Sequence, residues 1–153
     1  MRKKALALVR HRGPWACCLI MLLLILALPA SSQAGLEEAN FGSGGESLDI
    51  QSLVTSGRIT VIEFSSPACP PCVRLAPLME RLAAARRDLA IKRLDINRPG
   101  VRGIDWQSPL AQQYQIRSVP YFMIFNSRKK LTATGRDAAQ QMEQWLRDAG
   151  ILK

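Results

Sequence analysis

Glu63-Phe64-Ser65-Ser66-Pro67-Ala68-Cys69-Pro70-Pro71-Cys72 is the stretch that decides the fold. It grows out of Ile59-Thr60-Val61-Ile62-Glu63-Phe64, whose apolar, β-branched run predicts a buried strand. On its other side Val73, Leu75, Leu78, Met79 and Leu82 fall at helical spacing, followed by Ala83 to Ala85, and predict a helix over 70–87. Pro77 inside that run cannot donate a backbone hydrogen bond and should kink the helix. Two cysteines separated by two residues therefore sit at a strand-to-helix junction. Their spacing lets the sulfurs meet across one turn, as a disulfide or as two thiols. A helix start turns free N–H groups and the positive end of its dipole toward Cys69, which favours the thiolate, the reactive species. Cys72 lies one turn further in, where burial keeps its proton on.

A ring this small restricts the unfolded chain by only about 2 kcal/mol, so the pair suits exchange better than stapling. Two other readings compete. A structural disulfide is one, although such bridges seldom lie within one turn of a helix start. A metal site is the other, but zinc takes four ligands and the chain has no second C-x-x-C.

Working outward, Leu48 to Ser56 reads as a short helix closed by Gly57, and Leu89 to Ile96 as a strand whose alternation slips once between Ile91 and Leu94. Asn97 to Gln107 is a long loop holding Pro99, Gly100 and Gly103. Ser108 caps a short helix with Pro109 in its first position. Tyr121–Phe125 and Lys130–Thr134 are strands joined by a polar turn, hence an antiparallel pair. Asp137 to Ala149 is an amphipathic closing helix capped by Asp137 and ended by Gly150. The order α-β-α-β-α-β-β-α implies an α/β domain with a central mixed β-sheet flanked by helices.

Further out, residues 1–14 carry five positive charges and no negative one, and Trp15 to Leu28 is an unbroken apolar run of 14. Small residues follow, with Ser32-Gln33-Ala34 fitting a small-x-small cleavage site. This is the layout of a secretory signal peptide, 1–34. A retained anchor is the alternative, but 14 residues at ~1.5 Å each reach only ~21 Å of a ~30 Å hydrocarbon core. No cysteine stands at the cut, which argues against a lipoprotein. Gly35 to Ser47, with Gly42, Ser43, Gly44 and Gly45, reads as a flexible arm ahead of a domain over 48–153.

The 153 residues suit one domain. His11, the one histidine, leaves with the leader, as do Cys17 and Cys18; this excludes Ser-His-Asp and Cys-His catalysis and a His-ligated metal. Export leaves Cys69 and Cys72 in an oxidising compartment. The net charge of +9 is mostly leader. Without the five cations before Glu37, sixteen basic residues face twelve acidic ones, a net of +4. No basic stripe interleaved with aromatics is present, and no nucleic-acid partner is expected.

The motif stretch, Pro77, Ser118-Val119-Pro120 before a strand, and Gly135 before the last helix together resemble the thioredoxin superfamily over about residues 48–150. The resemblance implies a thioredoxin-like fold with Cys69 as attacking and Cys72 as resolving thiol. It makes Pro120 the family's cis-proline facing the pair, with the backbone of Val119 receiving a substrate strand. It makes Glu63 the buried acid beneath the resolving cysteine, usually an aspartate. A lone carboxylate in an otherwise apolar strand fits that role, since burial raises its pKa and lets it accept a proton near neutral pH; an edge glutamate facing water is the alternative. The Pro70-Pro71 dipeptide, on the substrate-facing rim, is similar to those of some secreted and periplasmic thioredoxin-like reductases.

The sequence also departs from the family. Ala68 stands where thioredoxins usually have Trp. No histidine lies between the cysteines, as it does in strongly oxidising relatives. The 97–107 loop is long, and Trp106 in it either covers the site or packs in the core. The expectation is a periplasmic, monomeric reductant or mild exchanger of protein disulfides, without cofactor or metal, recharged by a membrane thiol electron donor. An oxidase or isomerase, or a non-catalytic peptide-binding module, are the rivals.

Overall fold

The computed structural model describes residues 35–153. The signal peptide read in residues 1–34, with His11, Cys17 and Cys18, lies outside the described residues. Five strands and three α-helices follow: β1 (Leu36–Glu38), β2 (Ile59–Ser65), α1 (Pro70–Ala85), β3 (Leu89–Asp95), α2 (Pro109–Gln113), β4 (Tyr121–Phe125), β5 (Leu131–Thr134) and α3 (Gly135–Asp148). The sheet runs β1-β3-β2-β4-β5. β3 is parallel to both β1 and β2, while β4 is antiparallel to β2 and β5. The mixed α/β sheet read from the sequence is therefore present.

Each face of the sheet has its own core. Val61, Leu89, Ile91, Phe122 and Ile124 pack under α1 and α3 against Met79, Leu82, Met142 and Leu146. Ile62, Phe64, Leu94, Ile96 and Phe125 pack on the other face with Leu110, Ala111 and Ile116. β2 serves both faces, and for this reason it reads as a near-continuous apolar run.

Three expectations are corrected. Residues 35–47 are not a flexible arm. Leu36–Glu38 pairs with Ile91–Arg93 as the edge strand β1. Asn40 then continues the ladder with its side chain, donating to the Asp95 carbonyl at 2.8 Å and accepting from the Asp95 N–H at 2.9 Å. Gly44 and Gly45 are buried because the loop after β3 lies against them: a Cβ on Gly44 would stand 2.5 Å from the Asn97 carbonyl oxygen. The helix read at 48–56 shortens to a 3-10 turn, Ile50–Leu53, capped by Asp49. The closing helix starts at Gly135 with Thr134 as its N-cap, so Asp137 lies in the first turn and is not the cap; β5 turns straight into the helix through the positive φ of Gly135.

The slip read in β3 also has a cause. Leu89 and Ile91 face α1, and Leu94 and Ile96 face the other core. Strand alternation is thus unbroken, and the position that looked out of phase is Arg93, on the α1 side.

Candidate active site

Ser66, Pro67 and Ala68 form the turn between β2 and α1. Ser66 Oγ accepts from the Ala68 N–H at 3.1 Å, and its carbonyl accepts from the Cys69 N–H at 3.1 Å. This brings Cys69 onto the axis of α1 as its N-cap. Cys69 and Cys72 are joined as a disulfide, Cα to Cα 5.3 Å. Both are buried to 2% exposure, beneath exposed Ala68, Pro70 and Pro71.

The prolines modify the expected electrostatics. Pro70 and Pro71 occupy the first two helical positions and have no N–H to offer. The first amide donor at this helix start is Cys72, which donates to Cys69 Sγ at 3.2 Å. Cys69 thus receives one direct N–H bond together with the helix dipole, in place of a set of free N–H groups.

Opposite the pair, the Val119–Pro120 peptide bond is cis, and the Val119 carbonyl oxygen lies 3.6 Å from Cys69 Sγ. Cys69, Cys72 and Val119 are therefore brought together from α1 and from the segment entering β4, with Pro70 and Pro71 on the exposed rim. Trp106 packs, half-buried, against the core on the α2 side.

Glu63 is fully buried, in β2 on the face that α1 covers. It is not a water-facing edge residue. Its hydrogen-bond partner is Arg93, whose Nε donates to Oε2 at 3.2 Å. Its second oxygen, Oε1, is buried with no hydrogen-bond partner. Burial pushes the Glu63 pKa above its ordinary value, and Arg93 opposes that shift only in part.

A cavity of about 270 Å³ opens between the start of α1 and this part of the sheet, lined by Cys72, Val73 and Ala76 on one side and by Glu38, Arg93 and Asp95 on the other. The reading of the sequence missed Glu38, Arg93 and Asp95. The one available signal was the arginine interrupting the apolar alternation of β3.

The sequence profile of the thioredoxin family matches residues 47–148. The chain belongs to the thioredoxin family. A thioredoxin-like protein of Fusarium culmorum is 30% identical over 91 residues, covering 58% of this chain and 69% of that protein. Thioredoxin H-type of Brassica oleracea is 26% identical over 88 residues, covering 58% of this chain and 65% of its own length, just under two thirds. Among solved structures, thioredoxin from Trypanosoma brucei brucei has a TM-score of 0.54 at 16% identity, covering 79% of this chain and 96% of that one. A mutant thioredoxin from Halobacterium salinarum has a TM-score of 0.53 at 17% identity, covering 82% of this chain and all of the other. These two likenesses establish the fold. A thioredoxin-family domain with a bonded C-x-x-C pair at a helix start is a thiol:disulfide oxidoreductase.

Proposed function

We propose that this thioredoxin-family protein is exported and acts as a monomeric reductant or mild exchanger on disulfides of envelope proteins. The observation that carries the direction of flow is the double proline. It removes two amide donors beside Cys69 and leaves one, at 3.2 Å. A thiolate stabilised less makes the reduced pair easier to reoxidise, hence a better reductant. Export is supported by the basic and apolar leader of residues 1–34. A monomer is supported by short edge strands of three and four residues, β1 and β5.

In the reaction, the Cys69 thiolate attacks one sulfur of a substrate disulfide, which extends along the backbone of Val119. The substrate S–S bond breaks, the other substrate sulfur leaves as a thiolate, and a mixed disulfide remains. Cys72 gives its proton to Glu63 and attacks Cys69 Sγ. The substrate leaves with both thiols, and two electrons have passed from the pair to it. A membrane thiol transporter returns two electrons to the Cys69–Cys72 disulfide by the same chemistry in reverse.

Equilibration with glutathione buffers should give a potential in the range of about −260 to −170 mV, and the reduced protein should turn over insulin disulfides. A value near the ~ −120 mV of a strong oxidant would reverse the direction assigned here. Insulin turnover that is the same after both cysteines are replaced would leave only a peptide-binding module.

A further inference from the structure

Arg93 is shared. Glu38 of β1, Arg93 of β3 and Glu63 of β2 stand directly opposite one another in a single cross-strand row. Arg93 Nε donates to Glu63 Oε2 at 3.2 Å, and its Nη1 donates to Glu38 Oε1 at 3.0 Å. One guanidinium therefore serves two carboxylates. One of them is fully buried and the other is about half exposed at the sheet edge.

The row on one side of it, Leu36, Ile91, Val61 and Ile124, is apolar throughout, and the row on the other side, on the cavity at Cys72, pairs Ser65 with Asp95. The remaining surroundings of Glu63 narrow the list of groups that could tune it. β3 adds Asp95, two residues past Arg93 on the cavity wall. β4 places the non-titrating Phe122 opposite Glu63. α1 brings Cys72, while its Arg74, Glu80 and Arg81 are exposed. α3 contributes Ala138, Met142 and Leu146 to this face.

We propose that Glu38 is a positioning residue for thiol exchange: by holding one arm of Arg93 on β1, it limits how far that guanidinium neutralises Glu63 and keeps the buried carboxyl fit to take the Cys72 proton near neutral pH. This rests on reading Glu63 as the proton acceptor. The physical reason is that an acceptor works best when its affinity for the proton matches the working pH. Left to itself, a cation hydrogen-bonded to a buried carboxylate would favour the charged form down to much lower pH. Dividing the cation between two carboxylates weakens that effect, and the negative charge of Glu38 adds to it, acting on Glu63 in the same direction as burial. The edge strand therefore reaches the chemistry across β3 without touching substrate.

Stopped-flow exchange of the full exported protein with a model disulfide, from pH 5 to 9, tests this. The second phase, resolution by Cys72, should rise with pH through a midpoint set by Glu63. Glu38→Gln should move that midpoint to lower pH by roughly half a unit and leave the first phase unchanged. Glu38→Asp, which keeps the charge, should stay near wild type. Glu37→Gln is the control for strand docking: Glu37 is the neighbouring residue of β1 and pairs with Lys92 instead. Its midpoint should not move. Glu63→Gln should abolish the pH-dependent limb. If Glu63→Gln retains the limb, the acceptor reading falls and takes this inference with it. If Glu63→Gln loses the limb while Glu38→Gln matches wild type, or Glu37→Gln shifts it equally, the role of Glu38 alone is overturned.

Discussion

Glu63 joins the stability of the protein to its chemistry. Buried in the folded chain and hydrated in the unfolded one, its carboxyl binds a proton more tightly when folded than its ordinary value of 4.5. The folded state thus holds more protons than the unfolded state, and stability falls as pH rises from about 4.5 through the raised value. Glu63→Gln has no such titration. Its melting temperature relative to wild type should therefore climb across that window in thermal melts from pH 4 to 9; a constant difference would mean that Glu63 keeps its ordinary proton affinity. At the cysteines, Cys72→Ser should accumulate thiol-sensitive adducts through Cys69, because the mixed disulfide loses its fast intramolecular exit. Cys69→Ser should trap nothing, since Cys69 is the sulfur beside the Val119 backbone that receives substrate, while Cys72 lies inside the first turn of α1. Non-reducing gels of folded, exported Cys72→Ser without adducts would dismiss covalent exchange.

At the level of elements, the segment after β1 and the loop after β3 form one unit. The Gly45 N–H donates to the Asp95 carbonyl at 2.9 Å, and the Gly45 carbonyl accepts from Leu110 at the start of α2, also at 2.9 Å. Gly45 holds a φ of +73°, and a Cβ there would meet the Arg98 backbone N at 2.7 Å. Gly44→Ala should therefore cost about 1–3 kcal/mol, read as a lower urea midpoint at unchanged slope, since the clash at Asn97 is with backbone and cannot be relieved by a side chain swinging away. The loop is closed by Asp105, which accepts from Arg98 Nε at 2.7 Å and from the Gln107 N–H at 3.2 Å. Asp105→Asn should speed hydrogen exchange at Arg98 and Gln107 while β2 and β3 stay protected. Uniform loss of protection across the sheet would show that the loop is part of the global folding unit.

Considered as a whole molecule, one sheet separates two cores, and its three central strands, β3, β2 and β4, supply both. Phe64, with no exposure, packs against Tyr114 and Tyr121 at ring separations of 5.4 and 6.1 Å. Phe64→Ala should cost about 3–5 kcal/mol in equilibrium unfolding, because the site is enclosed and cannot collapse onto the cavity it leaves. A loss below about 1 kcal/mol would place Phe64 in a core that relaxes freely. The export reading belongs to this scale as well. N-terminal sequencing of the secreted protein should begin at Gly35, one residue before β1, so that cleavage spares the strand carrying Glu38; recovery of the intact leader in membranes would favour an anchor.

Local features were legible along the chain. The helical spacing after Cys69, the β-branched run before it, Ser108 with Pro109 and the closing amphipathic stretch each record a period of the backbone, and each appears as an element close to where it was read. The C-x-x-C junction was legible for the same reason, since both cysteines and the helix start lie within four consecutive positions. Features that depend on pairing between distant segments emerged with the folded sheet. A glycine-rich stretch signals flexibility by composition, yet hydrogen bonds between Asn40 and Asp95, 55 positions further along the chain, help order it into an edge strand and a packed turn. Glu63, Arg93 and Glu38 are three separate oddities in one dimension. The β1-β3-β2 order sets them in a single row, where each charge answers the next and a residue at the sheet edge acts on the proton chemistry of the buried thiol.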